Sequence, residues 1–308
     1  MFLADAHADT LHAHIMEGVS FDQCAVTSAR LSSLGSYLQT FALFSGEVDR
    51  PKNHPYQNGL AMLNAIPDLG VPIIRGALPA EPPTEPMGIV SIEGGEMLEG
   101  DISKLHKIHT AAAVRMIALT WNFENEIGYP SAMGNTCPLK PFGHELIREM
   151  DALGILVDVS HLNEAGFYNA AERSHLPIIA SHSNLKKLCA HHRNLTDEQV
   201  RTIVAKKGFI GINFFSRFLS PGANATLSDV LRHIEGMLAL GAEDVLGFGS
   251  DFDGILTSPD GLRSPSDFPN LIELLLQQNY SQTLVERIAG RNLWRVLKAA
   301  EKKGGLSV

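Results

Sequence analysis

The sequence predicts an (α/β)₈ barrel, because eight short apolar runs alternate along the chain with segments of helical periodicity. Five of these runs end in residues that can bind metal or activate water, namely His7 with Asp9, Glu93, His161, His182 and Asp251. The other three close on Ser45-Gly46, Thr120-Trp121-Asn122 and Asn213-Phe214-Phe215. Catalytic residues at the carboxyl ends of successive strands are typical of this barrel. An open doubly wound sheet is the alternative, but no Gly-x-Gly-x-x-Gly nucleotide turn supports it.

The segments between the runs carry helix signals. Apolar residues in 143–153 recur at the spacing that buries one stripe, and Gly154 follows as a C-cap. Thr196 precedes acidic residues, which predicts the N-cap of another helix. Further amphipathic helices are expected over 227–240 and 281–300. Helices of this length between short strands favour a parallel sheet, and eight such units favour its closure into a barrel.

Bulk properties limit the class of protein. With 308 residues, 44% of them apolar, the chain can form one barrel domain over 1–308. A net charge of −9 without a basic cluster argues against nucleic acid or an anionic membrane as partner. Residues 1–7 lack the features of a signal peptide, no apolar run reaches membrane-spanning length, and three scattered cysteines form no disulfide framework. A cytoplasmic protein is therefore expected, and a homodimer is compatible with the sequence.

The residues at the strand ends form a candidate metal-binding set. His7 and Asp9 are two residues apart, a spacing that puts both side chains on one strand face. Glu93 could bridge two cations with its two oxygens, while His161 and His182 end adjacent strands and can meet at the barrel mouth. Each residue alone is more often a hydrogen-bonded polar group, but their recurrence in one architectural position favours a metal site. Imidazoles with carboxylates suit Zn²⁺, or less selectively Mn²⁺ or Co²⁺.

Two aspartates follow the last apolar run. Asp251 and Asp253 are also two residues apart, which again places them on one face if the strand continues. One of the two could form hydrogen bonds to neighbouring groups instead of taking part in catalysis. Asp253 is the better candidate for this role.

The ordered motifs of this chain resemble the membrane (renal) dipeptidase family of zinc peptidases. Each motif is weak alone, but the set occurs in order over essentially the whole chain. The segments that carry the resemblance are Phe2 to Asp9, Ser91-Ile92-Glu93-Gly94-Gly95, Leu156-Val157-Asp158-Val159-Ser160-His161, Ser181-His182-Ser183-Asn184, His192-Arg193-Asn194 and Gly247 to Gly254.

The resemblance implies a role for each of these residues. His7 and Asp9 would bind one zinc ion, His161 and His182 a second, and Glu93 would bridge the two. The resemblance also implies that Asp251 handles protons and that Arg193 receives the free carboxylate of a dipeptide substrate. Such roles agree with the chemistry of the groups, since a guanidinium fork matches a carboxylate bidentately.

One segment departs from the pattern of the family. Where its better-known members carry a histidine that contacts the reacting carbonyl, this chain has Trp121, followed by Asn122. Tryptophan cannot act as an acid and offers a single donor. The family's tyrosines after the seventh strand are Phe215 and Phe218 here. We expect Trp121 and Asn122 to contact the substrate, and the changes to alter substrate preference more than metal chemistry.

The sequence thus predicts a dipeptidase with two zinc ions per chain and a zinc-activated water. Two alternatives stay open at this point. The same metal site could act on another small amide, such as an N-acyl amino acid or a lactam. The chain could also be a non-catalytic descendant that binds metal or ligand, an alternative that Trp121 motivates.

Overall fold

Eight parallel strands form a closed barrel in chain order, in which β8 pairs back to β1. The computed structural model describes residues 1–46, 54–134, 136–222 and 224–303. The strands are β1 Leu3–Asp5, β2 Tyr37–Phe44, β3 Met87–Glu93, β4 Met116–Ala118, β5 Leu156–Asp158, β6 Ile178–Ala180, β7 Phe209–Ile212 and β8 Leu246–Phe248. Every strand falls within one of the eight apolar runs or next to it. The barrel prediction is confirmed, and closure of the sheet rules out the open alternative.

Helices and short helical turns surround the barrel. The α-helices are α1 Thr10–Glu17, α2 Ser28–Ser32, α3 Pro55–Ala65, α4 Ile102–Ala112, α5 Pro141–Leu153, α6 Glu164–Arg173, α7 Asp197–Ala205, α8 Ser216–Leu219, α9 Leu227–Leu238, α10 Phe268–Gln277, α11 Gln282–Glu286 and α12 Asn292–Lys303. Turns of 3₁₀ helix occupy Ile66–Leu69, Gly95–Leu98, Ser131–Met133 and Pro265–Asp267. In the described ranges, no helix has the length and apolar character needed to cross a membrane.

The predicted helix ends agree with the structure in two cases. Helix α5 stops at Leu153, and Gly154 takes the left-handed conformation (φ 70°) that makes glycine a favourable C-cap. Thr196 caps α7 through a reciprocal capping box with Gln199, in which each side chain bonds the other residue's backbone N–H.

The segment predicted as one helix over 281–300 is instead interrupted. Between α11 and α12 lies a π-helical turn, Arg287–Arg291, and α12 continues to Lys303. This turn approaches the barrel closely: a Cβ on Gly290 would lie 3.0 Å from the backbone nitrogen of Ala4. The next residue, Asn292, donates to the carbonyls of Glu243 and Leu246. The π-helical turn thus occurs where the chain packs closely against β1 and β8. Hydrophobic periodicity alone does not predict such a turn.

The strands are shorter than the sequence analysis assumed. His7 and Asp9 lie beyond β1, and Asp251 and Asp253 lie beyond β8, so neither pair shares a strand face. Asp251 and Asp253 have left-handed φ values of 66° and 67°. The two loops are aligned by hydrogen bonds from Asp251 N to His7 O (3.1 Å) and from Asp9 N to Phe252 O (2.9 Å). Loop pairing, not strand alternation, therefore brings these side chains together.

Glycine lets three neighbouring strand ends converge below these loops. A Cβ on Gly249 would lie 1.7 Å from the carbonyl oxygen of Ser181, and a Cβ on Gly211 would lie 1.9 Å from the same atom. Real Cβ atoms do not approach backbone so closely, so any side chain here would force the strand ends apart.

We expect Gly249→Ala to lower the free energy of unfolding by about 3 kcal/mol, the upper part of the range for overpacking a core. Gly76→Ala is the matched control, since its Cβ would meet nothing within 4 Å and its φ is not left-handed; it should change stability by about 0.5 kcal/mol or less. Urea unfolding of both variants in the presence of a chelator measures the difference. Equal stability of the two variants would contradict close packing at Gly249.

Candidate metal centre

Five side chains at the barrel mouth form two groups that could each hold a metal ion. The first consists of His7, Asp9 and Glu93, and the second of Glu93, His161 and His182, with ligand atoms within 4.8 Å of one another in each group. Glu93 Oε2 is 3.4 Å from His7 Nε2, whereas Glu93 Oε1 is 2.9 Å from His161 Nε2. The two oxygens of one buried carboxylate therefore face different groups.

The donor atoms fit a metal ion. His7 Nε2 and Asp9 Oδ1 are buried and have no hydrogen-bond partner among the described residues. The Nε2 atoms of His161 and His182 are only 3.0 Å apart and both lie near Glu93 Oε1. Buried polar atoms are almost always paired, so a cluster of unpaired nitrogen and oxygen donors indicates a cation-binding site. Nitrogen and carboxylate donors of this kind suit zinc.

The electrostatics of the imidazoles support this assignment. Burial, with a smaller contribution from the Arg193 charge, lowers the pKa of His161 to about 3. Burial also lowers the pKa of His182 well below its usual value. Both rings are therefore neutral and can offer a lone pair. Burial acts in the same direction on His7, but the Glu93 and Asp9 carboxylates outweigh it and raise its pKa well above the usual value. Their negative charge favours a cation at this position, whether a proton or a metal ion.

A buried aspartate and serine orient His182. The Ser181 hydroxyl donates to Asp158 Oδ2 and lies 2.7 Å from His182 Nδ1. A hydroxyl that donates to a carboxylate accepts from the ring, which places the His182 proton on Nδ1 and the lone pair on Nε2. Asn122 Oδ1 lies 3.1 Å from His161 Nδ1 and has the same effect on that ring. Both imidazoles thus direct Nε2 to Glu93.

The same pairing of aspartate and serine occurs at two places in the barrel, and we call each an aspartate–serine clasp. In the β5–β6 clasp, Asp158 accepts from the backbone N–H and the hydroxyl of Ser181. In the β1–β8 clasp, Asp5 accepts from the N–H of Ser250 at 2.8 Å and from its hydroxyl at 2.5 Å. Each serine directly precedes a residue of the site. The clasps therefore fix neighbouring strand ends that carry the predicted chemistry.

Asp251 lies beside the two groups and forms a third candidate group with His7 and His182. Its Oδ1 is 3.9 Å from His7 Nε2, and its Oδ2 accepts a hydrogen bond of 2.8 Å from Asn213 Nδ2. Asn213 is itself fixed by a backbone and side-chain pair of bonds with Asn184. Burial raises the pKa of Asp251 well above its usual value, with further contributions from the Asp9 and Glu93 charges. A carboxyl group with a high proton affinity, held in one orientation, can accept and return a proton.

Arg193 is buried in the same region and forms no ion pair with a described residue. Its Nη2 makes a long bond of 3.5 Å to the carbonyl of His182, and its Nε and Nη1 have no hydrogen-bond partner in the part of the chain that the structure describes. The guanidinium carbon lies 5.6 Å from the centre of the Phe218 ring. Burial lowers the pKa of Arg193 to about 10, so the group is still charged at neutral pH. Unpaired donors on a buried charge are suited to a carboxylate of the substrate.

A cavity of about 740 Å³ joins these groups. This volume lies within the usual range for a small-molecule site. Trp121 and Asn122, both predicted to contact substrate, line it, as do Phe215 and Phe218. The Trp121 ring packs 4.8 Å from Phe44 and 6.3 Å from His161, measured between centroids. Asn122 thus both lines the cavity and bonds to His161.

The sequence analysis missed several residues that hold the site. Asp158, Ser181 and Asn213 directly adjoin or closely follow strand ends, but they were read as parts of motifs without roles of their own. For Asp158 and Ser181, the available signal was a buried polar residue one to three positions before a candidate ligand; Asn213 precedes none. Glu96 was also missed: burial raises the pKa of its carboxyl to about 7, and its Oε1 has no hydrogen-bond partner among the described residues.

The hydrogen-bonding interpretation of Asp253 is confirmed. Its oxygens accept from Thr10 Oγ1 at 2.7 Å, from Ala25 N at 2.5 Å and from Val26 N at 3.2 Å. These bonds tie the loop after β8 to the start of α1 and to the segment before α2. Asp253 therefore has most of its acceptor capacity occupied, unlike Asp9.

The closed barrel and its set of imidazole and carboxylate donors define a metal-dependent hydrolase. The family profile described as membrane dipeptidase, peptidase family M19, matches residues 85–305. The chain belongs to this family, which confirms the resemblance and the class of metal-dependent hydrolases that act on dipeptides.

Two relatives are similar in sequence to this chain, and the second is described as a dipeptidase. An uncharacterized protein of Klebsiella pneumoniae, described by its place in the pqqA 5′ region, is 36% identical over 220 residues, which cover 68% of this chain and 80% of that protein. An uncharacterized dipeptidase of Schizosaccharomyces pombe is 34% identical over 220 residues, or 70% of this chain. The match covers only 54% of that second relative, about half of its length.

Solved structures show the same fold. A metallopeptidase of Rhodobacter sphaeroides, bound to a phosphinate mimic of the dipeptide L-Ala-D-Ala, superposes with a TM-score of 0.86 at 23% identity, covering 97% of this chain and 99% of that one. A dipeptidase of family M19, dipeptidase AC, gives a TM-score of 0.87 at 25% identity and covers 99% of both chains. The whole described barrel is therefore of the metallo-dipeptidase type.

The β5–β6 clasp generates a test of metal binding. Ser181→Ala removes the acceptor for His182 Nδ1, so we expect metal affinity to fall about tenfold to a hundredfold, the usual effect of losing a group that orients a ligand. Competition with a chromophoric chelator measures this affinity directly.

Ser250→Ala is the matched control for that variant. It removes the corresponding hydroxyl from the β1–β8 clasp, where the Ser250 hydroxyl bonds to Asp5 and to the backbone carbonyl of His7 but, among the described residues, to no imidazole ring. We expect a clearly smaller loss of affinity, and Ser181→Thr should recover most of the loss because it restores the hydroxyl. Equal losses in Ser181→Ala and Ser250→Ala would contradict the orienting role of Ser181.

Proposed function

We propose that this protein is a dipeptidase whose single barrel domain binds two zinc ions, one through His7 and Asp9 and one through His161 and His182, with Glu93 between them. The observation that carries the proposal is that the two Glu93 oxygens face two different groups of possible metal ligands. The cavity that contains Glu93 also contains Arg193, whose N–H groups at Nε and Nη1 are unpaired among the described residues. The family match and the bound dipeptide mimic of the Rhodobacter sphaeroides protein support it. We also propose a cytoplasmic location, which the free cysteines Cys24, Cys137 and Cys189 support.

The chain's own residues divide the work of hydrolysis. When bound at this centre, zinc would supply a nucleophile at neutral pH by lowering the pKa of a coordinated water. Arg193 binds the free carboxylate of the dipeptide and so positions the peptide bond over the centre. Asp251, held by Asn213, accepts the proton of the attacking water and delivers it to the amine that leaves. The aromatic side chains of the cavity, including Trp121, exclude bulk water from the bond.

Asp251→Asn should lower turnover by about two to four orders of magnitude while most of the metal stays bound, since this is the usual contribution of acid–base catalysis. Asparagine tolerates the left-handed backbone at this position, so the loop should keep its shape. Steady-state kinetics and elemental analysis of the same preparation measure the two effects.

Asp253→Asn is the matched control, because Asp253 has the same backbone conformation and also lines the cavity. Its oxygens bond to Thr10 and to two backbone N–H groups, so the change should affect stability more than turnover. A larger loss of turnover in Asp253→Asn than in Asp251→Asn would place the proton path at Asp253.

Amidation of the substrate tests Arg193. A charge-assisted hydrogen bond contributes about 1.5–3 kcal/mol, so an amidated dipeptide should lose about tenfold to a hundredfold in kcat/KM. Arg193→Met should impose a similar loss on free dipeptides and little further loss on amidated ones, because both changes remove the same interaction. Losses that simply add would show that Arg193 does not bind the carboxylate, and would favour a different small amide as substrate.

A further inference from the structure

A second arginine lines the cavity near Arg193. Arg217 is exposed in the short helix α8, and none of the described residues forms a hydrogen bond or an ion pair with its side chain. Other described arginines, such as Arg232 and Arg287, form an ion pair with a carboxylate on the protein surface. Arg217 is thus a guanidinium that faces a small-molecule site without a counter-charge.

The position of Arg217 is fixed by its backbone. The three consecutive carbonyls of residues 217–219 accept hydrogen bonds from the side chains of Cys189, Asn194 and His233, at 3.3, 2.8 and 3.0 Å. Asn194 also donates to the carbonyl of Cys189 at 2.9 Å, and it directly follows Arg193. Helix α8 and the segment that carries Arg193 are therefore tied together, which sets the spacing between the two arginine backbones.

The wall between the two arginines is aromatic and uncharged. The His191 ring lies 4.5 Å from Phe218, and the Arg193 guanidinium lies over the same phenylalanine. Burial lowers the pKa of His191 to about 4, and the charges of His192, Arg193 and Arg217 lower it further. Burial also lowers the pKa of the neighbouring His192. At neutral pH both imidazoles are uncharged, so the positive charge of the wall is that of the two guanidinium groups.

The carboxylates that line the cavity interact with groups other than Arg217. Asp9, Glu93 and Asp251 belong to the metal centre, and Asp253 bonds to Thr10 and two backbone amides. Glu17, at the rim, lies 3.7 Å from the His12 ring. Among the described residues of the cavity, none therefore neutralises Arg217, and an anionic group of the substrate has an open partner there.

We propose that Arg217 binds the side-chain carboxylate of the substrate's C-terminal residue, so that the enzyme prefers dipeptides that end in Asp or Glu. This inference rests on the proposed function, in which Arg193 holds the α-carboxylate of that residue. The side chain of an amino acid begins at the carbon that bears its α-carboxylate. Arg217 and Phe218 line the same cavity next to the Arg193 guanidinium, so this wall is the one nearest to the side chain of a C-terminal residue that Arg193 holds.

The test compares Ala-Asp with Ala-Asn, which have nearly the same shape but differ by one charge. For the zinc-loaded protein we expect kcat/KM to be about tenfold higher for Ala-Asp, as one charge-assisted hydrogen bond would give. Arg217→Met should reduce this ratio to about one by lowering kcat/KM for Ala-Asp, with little effect on Ala-Asn. Arg217→Glu should make Ala-Lys a better substrate than Ala-Asp. Added salt should reduce the wild-type ratio, since Arg217 is exposed.

Arg201→Met is the matched control, because Arg201 is an exposed arginine of α7 that does not line the cavity. It should keep the wild-type ratio. If Ala-Asn is cleaved and the wild-type ratio is near one, the carboxylate subsite is wrong while the dipeptidase proposal stands. A high ratio that survives in Arg217→Met overturns the role of Arg217. If neither dipeptide is cleaved, the proposed function fails and the subsite fails with it.

Discussion

The site depends on one buried carboxylate shared between two sets of donors. Glu93 pairs with Phe44 at the end of β3, and each of its oxygens faces a different histidine. A carboxylate without counter-charge is costly to bury, so the arrangement requires cationic partners. His7 can carry a positive charge when it is protonated, whereas burial keeps His161 and His182 neutral. The buried carboxylate therefore favours binding of a cation that the chain itself does not supply.

Buried hydrogen bonds give this centre its geometry. The two aspartate–serine clasps join β1 to β8 and β5 to β6, on two sides of the barrel. Each clasp uses a carboxylate that receives both a backbone N–H and a hydroxyl, so its charge is satisfied without touching the cavity. Glycines at 211 and 249 allow the same strand ends to converge around the Ser181 carbonyl. The ligands are consequently supported by main chain and by paired polar groups, which restricts their movement.

The order of the strands and the five candidate ligands could be predicted because both depend on local patterns. An apolar run followed by His, Asp or Glu is visible in the sequence whatever the register of the barrel. The relation between Asp251 and Asp9 was not predictable in the same way. It depends on two loops that pair across the closure of the sheet, and on left-handed backbone at Asp251. The pairing of Asp158 with Ser181 likewise depends on contacts between strands, which spacing along one chain does not encode.

The most direct test of a shared carboxylate is a zinc titration of metal-free protein and of Glu93→Gln, followed by elemental analysis. The wild-type protein should bind close to two zinc ions per chain, since three nitrogen and two carboxylate ligands are divided between two groups. Glu93→Gln should weaken both sites together, because a neutral amide bridges two cations poorly. Saturation of the wild-type protein at one zinc ion per chain would contradict the account, and so would a Glu93→Gln variant that loses one site and keeps the other at full affinity.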